Sequence, residues 1–386
     1  MHTVRVNRKA ADRIAAGHPW IFSSDILDRG KAEAGDAVKV IDPRGAALGT
    51  AHYSDTSQIS LRLLDRRVRA IDRAFFLERI VNAEAFRKRV VTDSNAYRLV
   101  HGEADQLPGL VIDRYGDYFT LQTLDQGMHR AQADIVSCLV ELFAPAGIVE
   151  RNDVAVRKRE ALPLTAGVLT GDVPVEVAIE MNGLELRADL LRGQKTGIFL
   201  DQRENYIAAA RHARGRALDC FTSTGGFALH LARRCESVEA TDSSASSLET
   251  AERNRVANRI ANVEFREADI FDLLGGYASA HRRFDTVVLD PPAFAKSRTH
   301  LDAALRGYKE INRRALELLA SGGVLVTCSC SHHVSEAMLL EIVAAASLDT
   351  GRTLRVLERR TQSQDHPILL TVPETMYLKC LILEVV

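Results

Sequence analysis

The sequence predicts an α/β protein: a doubly wound parallel sheet over residues 186–386, preceded by a small β-rich domain over residues 1–75 and an α+β domain over residues 76–185. Two observations predict it. Beyond residue 186, short apolar runs alternate with helical stretches, the pattern of βαβ units. Before residue 75 the apolar runs are short and separated by turn signals, the pattern of a small β domain.

Composition bounds the function classes. The chain has 386 residues, 46% of them hydrophobic and 26% charged, a globular mix that excludes a collagen, a disordered chain and a small disulfide scaffold. The formal net charge is −1, but residues 1–91 hold 17 Lys/Arg against 11 Asp/Glu. That is a net +6, which leaves −7 for the rest. Chance segregation of solvated charge explains this as readily as an anion-binding module joined to an enzyme-sized body. No apolar run approaches the roughly 18 residues of a membrane helix, and no secretory signal follows Met1. The cysteines at 138, 220, 235, 328, 330 and 380 form no C-x-x-C and no zinc spacing. They read as reduced thiols of a cytoplasmic protein, with no metal expected.

Taken in order, Val38-Lys39-Val40-Ile41 reads as a strand and Asp42-Pro43-Arg44-Gly45 as a turn. Ile59-Ser60-Leu61-Arg62-Leu63 alternates like a half-buried strand, which sends its arginine outward. Residues 72–91 turn helical, with Phe75, Phe76, Ile80, Val81 and Phe86 on neighbouring turns. Strands are expected at 97–100, 110–112, 118–123 and 147–150, with a helix over 129–143. This middle region carries no chemistry legible in the sequence.

In the last part, strands are expected at 217–221, 238–241, 263–266, 286–289 and 324–327, with helices at 227–234, 246–258 and 301–319. A ligand of such a sheet sits beyond the carboxyl ends of its strands. The first strand runs into Asp219-Cys220-Phe221-Thr222-Ser223-Thr224-Gly225-Gly226-Phe227, where paired glycines permit either close ligand approach or a tight structural turn. The second strand ends in Asp242 and the third in Glu267-Ala268-Asp269. Each acid alone suits a helix cap; at three successive strand ends the acids suit a nucleoside. No phosphate-binding loop or dinucleotide fingerprint is present, so a nucleoside with a small appended group, such as S-adenosylmethionine, fits better than ATP or NAD. The fourth strand runs into Asp290-Pro291-Pro292-Ala293-Phe294, a stiff loop led by an acid able to bond a flat heterocycle. The fifth runs into Cys328-Ser329-Cys330-Ser331, with Cys330 just past the strand end, where a thiol can be exposed and tuned toward thiolate.

Together these residues resemble the RlmI-like large-subunit ribosomal RNA (cytosine-5)-methyltransferases. Lys195-Thr196-Gly197-Ile198-Phe199-Leu200-Asp201-Gln202-Arg203 is similar to a signature of that family. So are the Asp219–Phe227 run, Asp290-Pro291-Pro292, Arg306-Gly307-Tyr308-Lys309-Glu310-Ile311-Asn312 and Ser329-Cys330-Ser331. Upstream, His18-Pro19-Trp20-Ile21-Phe22 resembles the start of the family's PUA domain, and residues 153–160 resemble its middle region. Two positions depart from the pattern. Ala293 stands where a lysine is common, with Lys296 nearby, and Cys328 stands where an apolar or aromatic residue is expected.

The resemblance implies a Rossmann-like class I methyltransferase domain behind an N-terminal PUA domain. It implies formation of 5-methylcytosine in large-subunit ribosomal RNA with S-adenosylmethionine, through a Cys330 adduct at C6 of the base, with Asp290 on the N3 edge. It places Asp219, Phe221, Thr224 and Gly225 around the methionine portion of the cofactor. Asp242 falls on the ribose, Asp269 and Ile270 near the adenine, and Gln202 and Arg203 where they close the site. The basic N-terminal domain is expected to hold RNA, and a homodimer is a family-level expectation. Two other readings stand beside this one. One is methylation of an exocyclic amine of an RNA base, which needs no thiol. The other is an RNA-binding assembly factor without turnover.

Overall fold

The computed structural model describes residues 1–193, 195–294 and 300–386. Lys296 lies outside the described residues. Two compact units divide the chain. One comprises Met1–Gly183, Ala188–Ile198 and Gln364–Thr375, and the other Leu184–Arg187, Phe199–Ser363 and Met376–Val386.

The first unit holds two sheets. Six short strands, in the order Trp20–Phe22, Ile59–Asp65, Ala47–Tyr53, Ala37–Ile41, Thr3–Val6, Ile26–Asp28, surround a core of Val4, Val6, Ile21, Val38, Val40 and Leu61. Five more, ordered Ala166–Gly171, Gly147–Arg151, Tyr118–Thr123, Leu110–Tyr115, Ala96–His101, pack on helix Arg73–Val90 through Phe75, Phe76 and Ile80. That helix begins where Asp72 accepts the Phe75 amide at 3.0 Å, a side-chain cap.

Charge in this unit is arranged differently from the sequence expectation. Arg62 does not point outward. It is buried and donates to Glu160 at 2.8 Å, because the strand carrying it is covered on both faces. Arg13 pairs with Asp25, Arg67 and Arg79 with Asp65, and Arg87 with Asp105. Much of the positive count is therefore neutralised inside the unit. Arg5, Lys9, Arg29, Lys31 and Arg44 are exposed and make no ion pair among the described residues.

In the second unit seven strands form one sheet. We label them β1 Arg216–Cys220, β2 Ser237–Asp242, β3 Val263–Glu267, β4 Phe284–Leu289, β5 Leu319–Ser329, β6 Leu354–Arg360 and β7 Lys379–Val385. The helices are α1 Arg203–His212, α2 Gly226–Leu231, α3 Ala245–Ala257, α4 Ile270–Ser279, α5 Leu301–Leu318 and α6 Glu336–Asp349. The strand order is β3-β2-β1-β4-β5-β7-β6. Pairing is parallel from β3 to β5, whereas β7 runs antiparallel to both neighbours. The sheet is thus not wholly parallel as expected, since the chain returns from β6 to insert β7 beside β5.

Helices α4, α5 and α6 bury Leu274, Ile311 and Leu339 against Leu218, Val287 and Leu325. Ala217, Val288 and Val326, which alternate with those strand residues, are equally buried, so both faces of the sheet are covered. That double burial is why the strands read as continuous apolar runs in the sequence. Among the described residues no helix is long and apolar enough to cross a membrane.

Candidate active site

Strand order reverses between β1 and β4, and a crevice forms at such a switch point beyond the carboxyl ends. Cys220 pairs with Leu289, so Asp290 leaves the sheet beside the end of β1. Asp219, one residue before that end, is fully buried. Its Oδ2 accepts from Thr222 Oγ1 at 2.6 Å and from the Ala228 amide at 3.0 Å, which ties β1 to the first turn of α2. Its Oδ1 has no hydrogen-bond partner among the described residues. Burial pushes the Asp219 carboxyl up to about 7, and the charges of Asp290 and Asp242 push it the same way.

The connecting loop is strained in a directed way. Phe221, Ser223 and Gly225 have φ of 64°, 50° and 88°, in the left-handed region that side chains disfavour. Three bonds hold it there. The Thr222 amide donates to Thr241 O at 2.9 Å, the Ser223 amide to Asp242 Oδ2 at 2.9 Å, and Asn254 Nδ2 to Thr224 O at 3.0 Å. Asp242 Oδ1 also accepts the Ser244 amide at 2.9 Å, so this carboxylate braces the loop from β2.

At the end of β5 the two nearby cysteines separate. Cys328 is fully buried opposite Cys380 of β7, and burial pushes its thiol well above the ordinary value. Cys330 is half-buried, and the other five cysteines are buried. Its flanking serines both meet Tyr308 of α5: Ser329 Oγ donates to Tyr308 Oη at 3.0 Å, and Ser331 Oγ lies 3.1 Å from it.

The family is decided by comparison with known proteins. A model of S-adenosylmethionine-dependent methyltransferases matches residues 136–382, and a model of PUA-like domains matches residues 4–66. The chain belongs to the S-adenosylmethionine-dependent methyltransferases. It is 40% identical over 394 residues to a "Ribosomal RNA large subunit methyltransferase I" from Tolumonas auensis, covering 100% of this chain and 99% of that one. The protein of the same name from Escherichia coli is 40% identical over 371 residues, 94% of each chain. A solved structure from Streptococcus mutans, described as a SAM-dependent methyltransferase, shares the fold with a TM-score of 0.84 at 20% identity, covering 100% of both chains.

The site of this methyltransferase fits its cofactor. S-adenosylmethionine carries a sulfonium and an ammonium, and the crevice offers an orphaned carboxylate oxygen on Asp219 with two more carboxylates close by. Among the described residues no group of His, Cys, Asp and Glu is placed to hold a metal ion.

Other expected residues stand in plainer settings. Asp269 is exposed and caps α4, its Oδ1 accepting the Phe271 amide at 2.9 Å and the Asp272 amide at 3.2 Å. Ile270 is part of the core cluster. Gln202 and Arg203 are buried; Gln202 Oε1 accepts from Asn205 Nδ2 at 2.7 Å and its side chain also reaches the Cys328 thiol, while Arg203 pairs with Glu204 at 3.1 Å. Ala293 is half-buried. The two residues after Ser331, His332 and His333, are not among the expected site residues and are exposed.

The two glycines divide between the readings the sequence left open. A Cβ on Gly226 would stand 2.5 Å from Tyr206 Cζ, so what approaches that backbone is a tyrosine ring. Gly225 supplies the left-handed turn instead. Two residues of the site escaped sequence reading. Tyr206 is a single aromatic in an amphipathic helix, and Lys379 is a lone lysine opening the last strand. Neither carries a local signal.

Proposed function

We propose that this protein methylates C5 of a cytosine in large-subunit ribosomal RNA, with Cys330 as nucleophile and Asp290 as its partner on the base. The observation that carries the reading is the strand-end pair. β4 and β5 are parallel neighbours with Leu289 opposite Thr327, so Asp290 is level with Cys328 and Cys330 lies two residues further out, about 7 Å along the strand direction. A cytosine ring spans such a gap. The names of the relatives, at 40% identity over nearly the whole chain, support the RNA substrate.

C5 of cytosine is a poor nucleophile. A Cys330 thiolate adding to C6 makes the ring an enamine whose C5 can take a methyl group. Asp290, once protonated, donates a hydrogen bond to N3 and so stabilises the negative charge that accumulates there as the thiolate adds. When bound, S-adenosylmethionine supplies the methyl as an electrophilic sulfonium. Loss of the C5 proton to a base then lets Cys330 leave C6 and restores the ring. Within the crevice, Asp219, Phe221, Thr224 and Gly225 hold the methionine portion, Asp242 takes the ribose, and Asp269 with Ile270 borders the adenine. Gln202 and Arg203 close the site. The target base must be unstacked to enter. The domain of residues 1–75 holds RNA phosphates and shape, with little sequence reading of its own. A cytoplasmic protein with reduced thiols fits this chemistry.

Cys330→Ala should abolish methylation and any covalent adduct with 5-fluorocytosine-substituted RNA. Full retained methylation would sink the thiolate reading and favour exocyclic-amine transfer. Mass mapping of 5-methylcytosine in ribosomal RNA with and without the protein locates the target.

A further inference from the structure

Lys379 opens β7 at a place where a charge is costly. It is 3% exposed, and the antiparallel register puts it opposite Ser329, the residue before Cys330. Its Nζ donates to the carbonyl of Ser331 at 2.7 Å and to that of Tyr377 at 2.9 Å. No carboxylate pairs with it among the described residues. An ammonium buried against neutral carbonyls alone loses hydration without a compensating ion pair. The strand would be better served there by an apolar side chain, so the charge needs a reason.

The reason lies in what the lysine grips. One of its two carbonyls belongs to Ser331, next to Cys330, whose other neighbour Ser329 faces Lys379 across the sheet. We infer that Lys379 is a positioning residue for Cys330: its buried ammonium anchors the Ser329-Cys330-Ser331 turn and supplies the positive charge that holds Cys330 as a thiolate. This rests on the nucleophile role proposed above and extends it.

The surrounding groups leave that task to Lys379. Burial lowers the Lys379 ammonium to about 8, with the Cys330 thiolate acting in the opposite direction, so it is still charged at pH 7. Tyr308 is pushed upward by burial and stays a neutral phenol, and Tyr377 offers its carbonyl. Partial desolvation and the Lys379 charge both push His332 down, so it adds no positive charge at neutral pH. Asp290, leaving the neighbouring strand, opposes a thiolate, which makes a compensating cation more necessary.

The test is the pH dependence of Cys330 alkylation by iodoacetamide in the full-length protein, read by peptide mass spectrometry. In the wild-type chain the midpoint should fall below the roughly 8.5 of a free thiol. A midpoint at or above that value overturns the proposal without any variant. Lys379→Met should raise the midpoint and slow alkylation at pH 7 about tenfold, whereas Lys379→Arg should keep the wild-type profile. An unchanged midpoint in a Met variant with native circular dichroism also overturns it. The nucleophile reading is separable. If Cys330→Ala keeps its RNA adduct while Lys379→Met still shifts alkylation, that reading falls and the Lys379 coupling stands.

Discussion

Cys328 of β5 stands directly opposite Cys380 of β7, both fully buried, while Cys330 two residues on is half-buried. A strand residue and its second neighbour differ here because the strand ends between them. The sequence offers two thiols at one strand end, and the pairing of β5 with β7 makes one of them core. Cys328→Ala should leave methylation largely intact and lower stability by about 1–2 kcal/mol, the cost of a small buried truncation. Urea unfolding and a methyl-transfer assay read the two effects separately; loss of activity at native stability would move the nucleophile to Cys328.

Cofactor affinity should depend on pH through Asp219. Its carboxyl is raised to about 7, chiefly by burial. At pH 6 it is mostly protonated and neutral, and at pH 8 mostly a carboxylate. A cationic ligand prefers the carboxylate, so S-adenosylmethionine should bind more tightly as pH rises from about 6 to 8, with proton release near pH 6–7. Calorimetry in buffers of different ionisation enthalpy reads that proton. Asp219→Asn should bind more weakly and show a flat profile; a wild-type affinity independent of pH would count against the cation assignment.

Lys379 should make stability depend on pH at the alkaline end. Its folded value of about 8 lies below the 10.5 of an unconstrained lysine. Between those values the unfolded chain binds more protons than the folded one, so the wild-type chain should gain stability over that range relative to Lys379→Met. Below pH 8 the cost is fully present. Thermal melts of both proteins at pH 7 and pH 10 provide the comparison, and parallel curves would contradict the burial argument.

Gly226→Ala should destabilise the methyltransferase unit by about 1–3 kcal/mol. The added Cβ falls 2.5 Å from Tyr206 Cζ. That ring cannot swing away, being stacked on His230 at 5.1 Å and edge-on to Phe227 at 4.8 Å. Urea midpoints that match wild type would show that Tyr206 has room the packing does not reveal.

RNA binding should weaken with salt through the unpaired cations of the first unit. Replacing Arg5, Lys9, Arg29, Lys31 and Arg44 by Gln should flatten the dependence of log K on log salt by about 0.7–0.9 for each phosphate these side chains no longer neutralise. Changing Arg62 or Arg87 instead should cost stability, since both are buried in ion pairs. If the five-site variant binds RNA with an unchanged salt slope, the positive charge of residues 1–91 has no part in recognition.

Local pattern by itself determined the alternation of strands and helices, the acids and thiol at successive strand ends, and the family resemblance. Each follows from neighbours a few residues apart, through burial of a strand on both faces and the turn chemistry after it. Tertiary structure alone decided which thiol is core, which glycine yields to a tyrosine, which arginines are tied up in ion pairs, and that Lys379 grips the turn at Cys330. Those depend on the order and register of strands distant in the chain. β7 enters beside β5 only because the chain returns after β6, and nothing near residue 379 encodes that neighbour. The −1 net charge conceals the same lesson, because what a charge does here is set by the partner that packing gives it.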